Sequence, residues 1–177
     1  MLKKIAPPAV LTIICTVASA LLIIVYNLTY VDTTGIITDE LKAGLTELYG
    51  EKEYTMLKNE DGTVMTFEDV NSVIVSSDND VAFEVIANGY AKGGIHVLVG
   101  VSDNGVEGIS FINLGETPGL GTKIRDDKNF VKQFIGINSS DYEFSTLTGA
   151  TFSSKGLKSA ADTALKTYQE HKEDILK

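Results

Sequence analysis

Tryptophan is missing from these 177 residues, and cysteine, histidine and proline are scarce, with one, two and three copies. Each scarcity excludes a class of chemistry. A single cysteine, Cys15, cannot form an intramolecular disulfide, a CxxC redox pair or a cysteine-ligated iron–sulfur cluster within the chain. It lies inside an apolar run, where a thiol behaves as a small hydrophobe. His96 and His171 are far apart and lack an HExxH-like companion, so no histidine-based metal site is expected. Basic residues are also few, 15 against 24 acidic, for a net charge of −9. Residues 1–30 hold Lys3, Lys4 and no acid, which leaves −11 on residues 31–177. That surplus excludes binding to a phosphate backbone, so no nucleic-acid partner is expected. With 44% hydrophobic residues the chain has enough apolar material for a core, and wholesale disorder is excluded.

The first long feature is the uncharged apolar run at residues 9–28, preceded by Pro7 and Pro8, which suit a helix start. From Pro8 to Tyr30 a helix would be about 35 Å long, enough to cross a hydrocarbon layer of about 30 Å. Tyr26 and Tyr30 stand where an interfacial aromatic belt would lie. Ala18-Ser19-Ala20 resembles a signal-peptide cleavage site, but the apolar run continues through Leu21–Val25, as such sites seldom do. A membrane anchor at 1–30 with a short cytoplasmic amino terminus is therefore expected, followed by one domain at 31–177. Lys3 and Lys4 place that domain outside the cytoplasm by the positive-inside rule.

In the domain, a linker is expected at Val31–Gly35. Thr38 or Asp39 can cap a helix carrying Leu41, Leu45 and Leu48, with Gly50 as its stop. Strand-like runs follow at Tyr54–Leu57, Val64–Phe67, Ser72–Val75, Val81–Ala87, Ile95–Val101 and Val106–Ile112. Asn104-Gly105 reads as a two-residue hairpin turn. Asp126 or Asp127 can cap a short helix bearing Phe130, Val131, Phe134 and Ile135. Leu157, Ala160, Ala161, Ala164, Leu165 and Tyr168 mark a closing helix capped by Ser153 or Ser154. Strands flanked by helices without βαβ alternation indicate an α+β domain.

Two loops are chemically suggestive. In Gly115-Glu116-Thr117-Pro118-Gly119-Leu120-Gly121, Pro118 and Gly119 fit the centre of a type II turn, and the glycines let backbone approach a flat ligand. In Thr148-Gly149-Ala150-Thr151-Phe152-Ser153-Ser154, small residues and hydroxyls precede a helix N-terminus, which favours an anion. A phosphate held there would lie against Thr151. Spacing alone leaves open a helix cap with extra hydroxyls.

The sequence TGAT at 148–151, followed by Ser153-Ser154 and a small-residue helix, resembles the flavinylation motif of the FMN-binding domain family. Glu116–Gly121 resembles that family's ETPGLG loop, continued by Lys123-Ile124. Gly89-Tyr90 with Gly93-Gly94-Ile95 resembles its GYxGxI block. The resemblance spans about residues 80–165. The single anchor and short length resemble the G subunits of Rnf-type electron-transport complexes more than the related C subunits of sodium-translocating NADH:quinone reductases. The resemblance implies a mixed sheet-and-helix domain carrying FMN, its phosphate esterified to Thr151 by a flavin transferase that uses FAD. It implies contacts from Thr148, Gly149, Ala150, Ser153 and Ser154 around the phosphate, and from Glu116, Thr117, Gly119 and Leu120 around the ring. It further implies an electron carrier with membrane-embedded partner subunits in a complex moving electrons between ferredoxin and NAD, coupled to Na⁺ or H⁺ transport. Two positions depart from the family pattern: Ser145 replaces a frequent Asp, and Leu114 a frequent His. A stand-alone anchored flavoprotein reductase and a non-redox anchored binding module are the other classes consistent with the residues.

Protease added to intact spheroplasts should digest the domain and spare an amino-terminal fragment of about thirty residues, the length set by the bilayer span. Full protection until lysis would reverse the expected orientation.

Overall fold

A computed structural model describes the backbone of residues 2–29 and 35–177, and side chains from Pro8 onward. The side chains of Lys3 and Lys4 thus lie outside the described residues, as do Tyr30 of the expected aromatic belt and all of the expected linker but Gly35. The chain divides into two compact units, Met1–Thr33 and Thr34–Lys177.

The described residues of the first unit form one helix, α1, Leu2–Thr29. It starts at Leu2, earlier than the prolines suggest. From Pro8 to Thr29 it is long and apolar enough to cross a membrane. Its hydroxyls turn back on their own helix: Thr12 donates to the Pro8 carbonyl at 2.9 Å, and Thr16 to that of Thr12 at 2.8 Å. Such self-satisfaction suits an apolar surrounding, where a free hydroxyl is costly.

The second unit is α+β. Its five strands, β1 (Tyr54–Met56), β2 (Val70–Ser76), β3 (Val81–Ala87), β4 (Ile95–Ser102) and β5 (Gly105–Leu114), form an antiparallel meander in chain order. Helix α2, Asp39–Tyr49, covers one face, and the 25-residue α5, Thr151–Ile175, covers the other. Two short helices, α3 (Lys123–Asp126) and α4 (Lys128–Lys132), lie between β5 and α5 in the chain. Period-two alternation feeds two cores. Phe83, Val97 and Val99 meet Leu157, Ala160, Ala161, Ala164 and Leu165 of α5, while Ala82, Leu98 and Ile74 meet Leu41 and Leu45 of α2. Both faces are covered, so the central strands read as continuous apolar runs rather than as alternating ones.

Several local expectations need correction. The run Val64–Phe67 makes only isolated bridges, Lys58 with Val64 and Phe67 with Val70, so it is not a strand. The hairpin turn is Asp103-Asn104, because Gly105, at φ 104°, already pairs with Ser102 as the first residue of β5. A side chain at Gly105 would run into the Ile137 carbonyl, which explains the glycine one position late. Thr38 caps α2, accepting from the Leu41 N–H at 3.3 Å, and Asp127 caps α4, accepting from Asn129 and Phe130. Ser153 and Ser154 do not cap α5. The helix begins two residues earlier, and both serines are buried in its first turn.

The position of α5 on the sheet is set by Gly156. A Cβ there would collide with the Asn88 carbonyl oxygen and lie 2.7 Å from Ile95 Cδ1. Gly156→Ala should therefore push the helix off β3 and β4 and cost about 1–3 kcal/mol, as overpacking typically does. A lowered denaturation midpoint with an unchanged slope is the expected readout.

Candidate functional site

The two loops come together at the amino-terminal end of α5. Each is shaped by a turn with glycine in third place. The Leu120 N–H donates to the Thr117 carbonyl at 3.1 Å, closing a turn over Pro118 and Gly119, with Gly119 at φ 72°. The Ala150 N–H donates to the Leu147 carbonyl at 3.0 Å, closing the other over Thr148 and Gly149, with Gly149 at φ 80°. A left-handed residue is required at that place in a type II turn, so glycine is the low-cost choice. A Cβ on Gly149 would sit 3.5 Å from Leu120 Cδ2, so the turns face each other.

Between them lies a cleft of about 380 Å³ lined by Tyr90, Glu116, Thr117, Leu120, Gly121, Gly149, Ala150, Thr151, Phe152 and Ser153. Its polar end is the start of α5. The N-cap residue is Ala150, which has no side chain to accept a hydrogen bond. Helix geometry leaves the N–H groups of Thr151, Phe152 and Ser153 without intrahelical acceptors, and the helix dipole adds partial positive charge there. Thr151 is the first helical residue and is exposed, so its hydroxyl stands at the same point. The apolar wall is Leu120, 48% exposed, with Tyr90 at 76% and Phe152 at 67%. The two aromatic rings meet edge to face, with centroids 6.4 Å apart. Large apolar groups gathered in the open around one cleft make it the candidate ligand site.

Of the expected contacts, Gly149, Ala150, Thr151, Ser153, Glu116, Thr117 and Leu120 line the cleft, whereas Thr148, Gly119 and Ser154 do not. Ser154 instead ties the loop to the helix: its Oγ accepts from the Leu147 N–H at 3.1 Å, and its N–H donates to the Ala150 carbonyl at 2.8 Å. Glu116 is buried, with its carboxylate turned into protein rather than toward the aromatic wall. Sequence reasoning missed Tyr90, Gly121 and Phe152. The available signals were a large aromatic directly after Thr151 among small polar residues, and a tyrosine bracketed by glycines. Of the two departures, Ser145 is held by its backbone, donating to Gln133 Oε1 at 2.9 Å and accepting from Gln133 Nε2 at 3.2 Å. Leu114 ends β5 and packs against the core.

Residues 89–166 match the FMN-binding domain family, and every residue lining the cleft lies within that stretch. The G subunits of the ion-translocating oxidoreductase complex from two strains of Aliivibrio fischeri are 30% and 29% identical, the first over 73% of this chain and 69% of the relative. The G subunit of the Na(+)-translocating ferredoxin:NAD(+) oxidoreductase complex of Acetobacterium woodii is 34% identical over 46% of this chain and 45% of its own. The chain belongs to this family of oxidoreductase-complex G subunits. The residues present fit FMN: the helix N–H groups at one end of the cleft suit a phosphate, and the apolar wall at the other suits a planar ring.

A second polar cluster lies on β2, β3 and β4. Ser72 Oγ donates to Glu84 Oε2 at 2.5 Å, and His96 Nε2 meets Glu84 Oε1 at 2.8 Å. The carboxylate sits between hydroxyl and imidazole, so the histidine cannot activate the serine, and the cluster is a sheet staple. Burial pushes the Glu84 carboxyl up, but the bonds from His96 and Ser72 outweigh it and hold it below the ordinary range. A depressed carboxyl adds stability above its unfolded value, near pH 4.3, and loses it as pH falls through the folded value. Glu84→Gln should therefore cost about 1–3 kcal/mol at pH 7. The gap to wild type should close in acid, as followed by urea unfolding from pH 7 to pH 3.

Proposed function

We propose that this chain is the electron-carrier subunit of an Rnf-type ion-translocating complex and carries FMN esterified through its phosphate to Thr151. The observation that supports this reading is the uncapped start of α5, opening on an apolar-walled cleft with an exposed threonine as its first residue. The helix N–H groups bind and orient the phosphate, and the dipole offsets its charge. Tyr90, Phe152 and Leu120, which line the cleft, would flank the ring. When bound, FMN supplies reversible electron transfer, and the protein supplies position and electrostatics. The ester forms as Thr151 Oγ bonds to the flavin-side phosphorus of FAD. The anhydride bond breaks, AMP leaves, and the hydroxyl proton passes to water, with a flavin transferase as catalyst. A covalent tether keeps the cofactor from dissociating on the extracytoplasmic side, where this reading places residues 31–177. The partners are the membrane subunits of the complex, and the parent reaction runs between ferredoxin and NAD.

Intact-mass analysis of the purified chain should show the FMN increment on a peptide containing Thr151. Thr151→Ala should abolish that increment and the in-gel fluorescence under denaturing conditions while leaving the fold intact. Wild type from a host without the transferase should be folded and colourless. Covalent flavin persisting in Thr151→Ala would sink the assignment.

A further inference from the structure

Glu116 is the only carboxylate among the residues lining the cleft, and 5% of its surface is exposed. Its side chain is fully engaged by protein. Oε1 accepts from the Ala91 N–H at 3.1 Å, Oε2 accepts from the Tyr90 N–H at 3.1 Å, and the Ser153 hydroxyl donates to Oε2 in a short hydrogen bond. Three glycines make room for it. A Cβ on Gly89 or on Gly94 would lie 2.5 Å from Oε1, and one on Gly121 would lie 2.7 Å from Oε2 and 2.8 Å from Ser153 Oγ. These glycines therefore shape a cradle for a buried carboxylate. By contrast, a Cβ on Gly119, in the same loop, would meet nothing within 4 Å.

The carboxylate thus joins the segment 89–94, the loop 116–121 and the first turn of α5. In an ordinary capping box, a glutamate in the third helical position bonds back to the N-cap N–H and consumes a donor. Here that position is Ser153, its hydroxyl is the group held, and the holding carboxylate comes from a loop 37 residues away. The backbone donors of the first turn stay available to the cleft, and the turn cannot rotate without breaking a buried charge-assisted bond. Thr151 lies two residues before Ser153 on that turn.

We propose that Glu116 is a positioning residue for flavin attachment: acting through Ser153, it fixes the first turn of α5 so that the Thr151 hydroxyl and the adjacent N–H groups converge on one phosphate. The inference rests on the reading that Thr151 is the attachment site. Glutamine cannot replace the acid, because one of its two positions becomes an NH₂ group facing a donor. Ser153→Ala removes the same link from the helix side, and Gly94→Ala displaces the carboxylate from its cradle.

The test uses full-length apoprotein in detergent, with FAD and purified flavin transferase. Glu116→Gln and Ser153→Ala should each slow flavin incorporation by about a hundredfold in kcat, the scale expected of a misplacement of roughly 1 Å, with KM for FAD unchanged. In the same apoproteins, titration with inorganic phosphate should shift the amide resonances of positions 151, 152 and 153 in wild type and leave them unmoved in both variants. Should Glu116→Gln fail to fold, Ser153→Ala and Gly94→Ala carry the test. Normal incorporation rates in the folded variants, or rates fully restored by cooling below the unfolding range, would overturn positioning and leave only a stabilising role. Wild type that accepts no flavin on Thr151 would overturn the attachment reading and this one with it.

Discussion

The closeness with which α5 lies on the sheet governs the rest of the structure. Helix and sheet meet through alanine, glycine and leucine on one side and β-branched residues on the other, so their backbones approach to within the reach of a single methyl group. At Gly156 the helix meets the carbonyl of Asn88, directly after β3. One turn earlier, the same helix presents Ser153 to Glu116 and Thr151 to the cleft. A helix riding about 1 Å higher would stretch the hydrogen bond from Ser153 to the buried carboxylate beyond its normal range and widen the cleft. Core packing and site geometry are therefore a single constraint.

Within that constraint, charge is handled locally. The domain is strongly acidic, yet the acid nearest the cleft is absorbed by two backbone N–H groups and a hydroxyl. Glu84 is treated in the same way by Ser72 and His96 on β2 and β4. The Glu116 carboxylate is held at the first turn of α5 through the Ser153 hydroxyl and does not use the backbone N–H groups of that turn.

The α+β class was legible because the runs at 81–87 and 95–101 are rich in the β-branched and aromatic residues of strands and residues 157–168 carry the 3–4 spacing of a helix. The turn at 117–120 was legible because proline and glycine in that order dictate a turn type, and it formed around Gly119, whereas the second turn, around Gly149, has no proline to announce it. What failed was local and had local causes. Ser153 and Ser154 carry capping side chains but were claimed by tertiary partners, Glu116 and the Leu147 N–H, so the helix started earlier on an alanine. Val64–Phe67 has strand composition but no neighbouring strand to extend. The role of Glu116 was invisible, since nothing in a glycine-rich loop announces which side chain the glycines make room for. Tyr90 and Phe152 lie 62 positions apart, and only the fold brings their rings together.

Helix α5 is also anchored at its other end. Asp103, in the β4–β5 turn, accepts from the Tyr168 hydroxyl at 3.1 Å and from the Lys172 ammonium. Clamped at Ser153 and again near Lys172, a rod of 25 residues, about 37 Å long, behaves as a beam supported at both ends rather than as a cantilever. Such a beam resists tilting about its first turn. A group carried at Thr151 would then keep a nearly constant standoff from anything docked against the domain, and its transfer distance would be set by the docked partner and not by the sway of its own attachment.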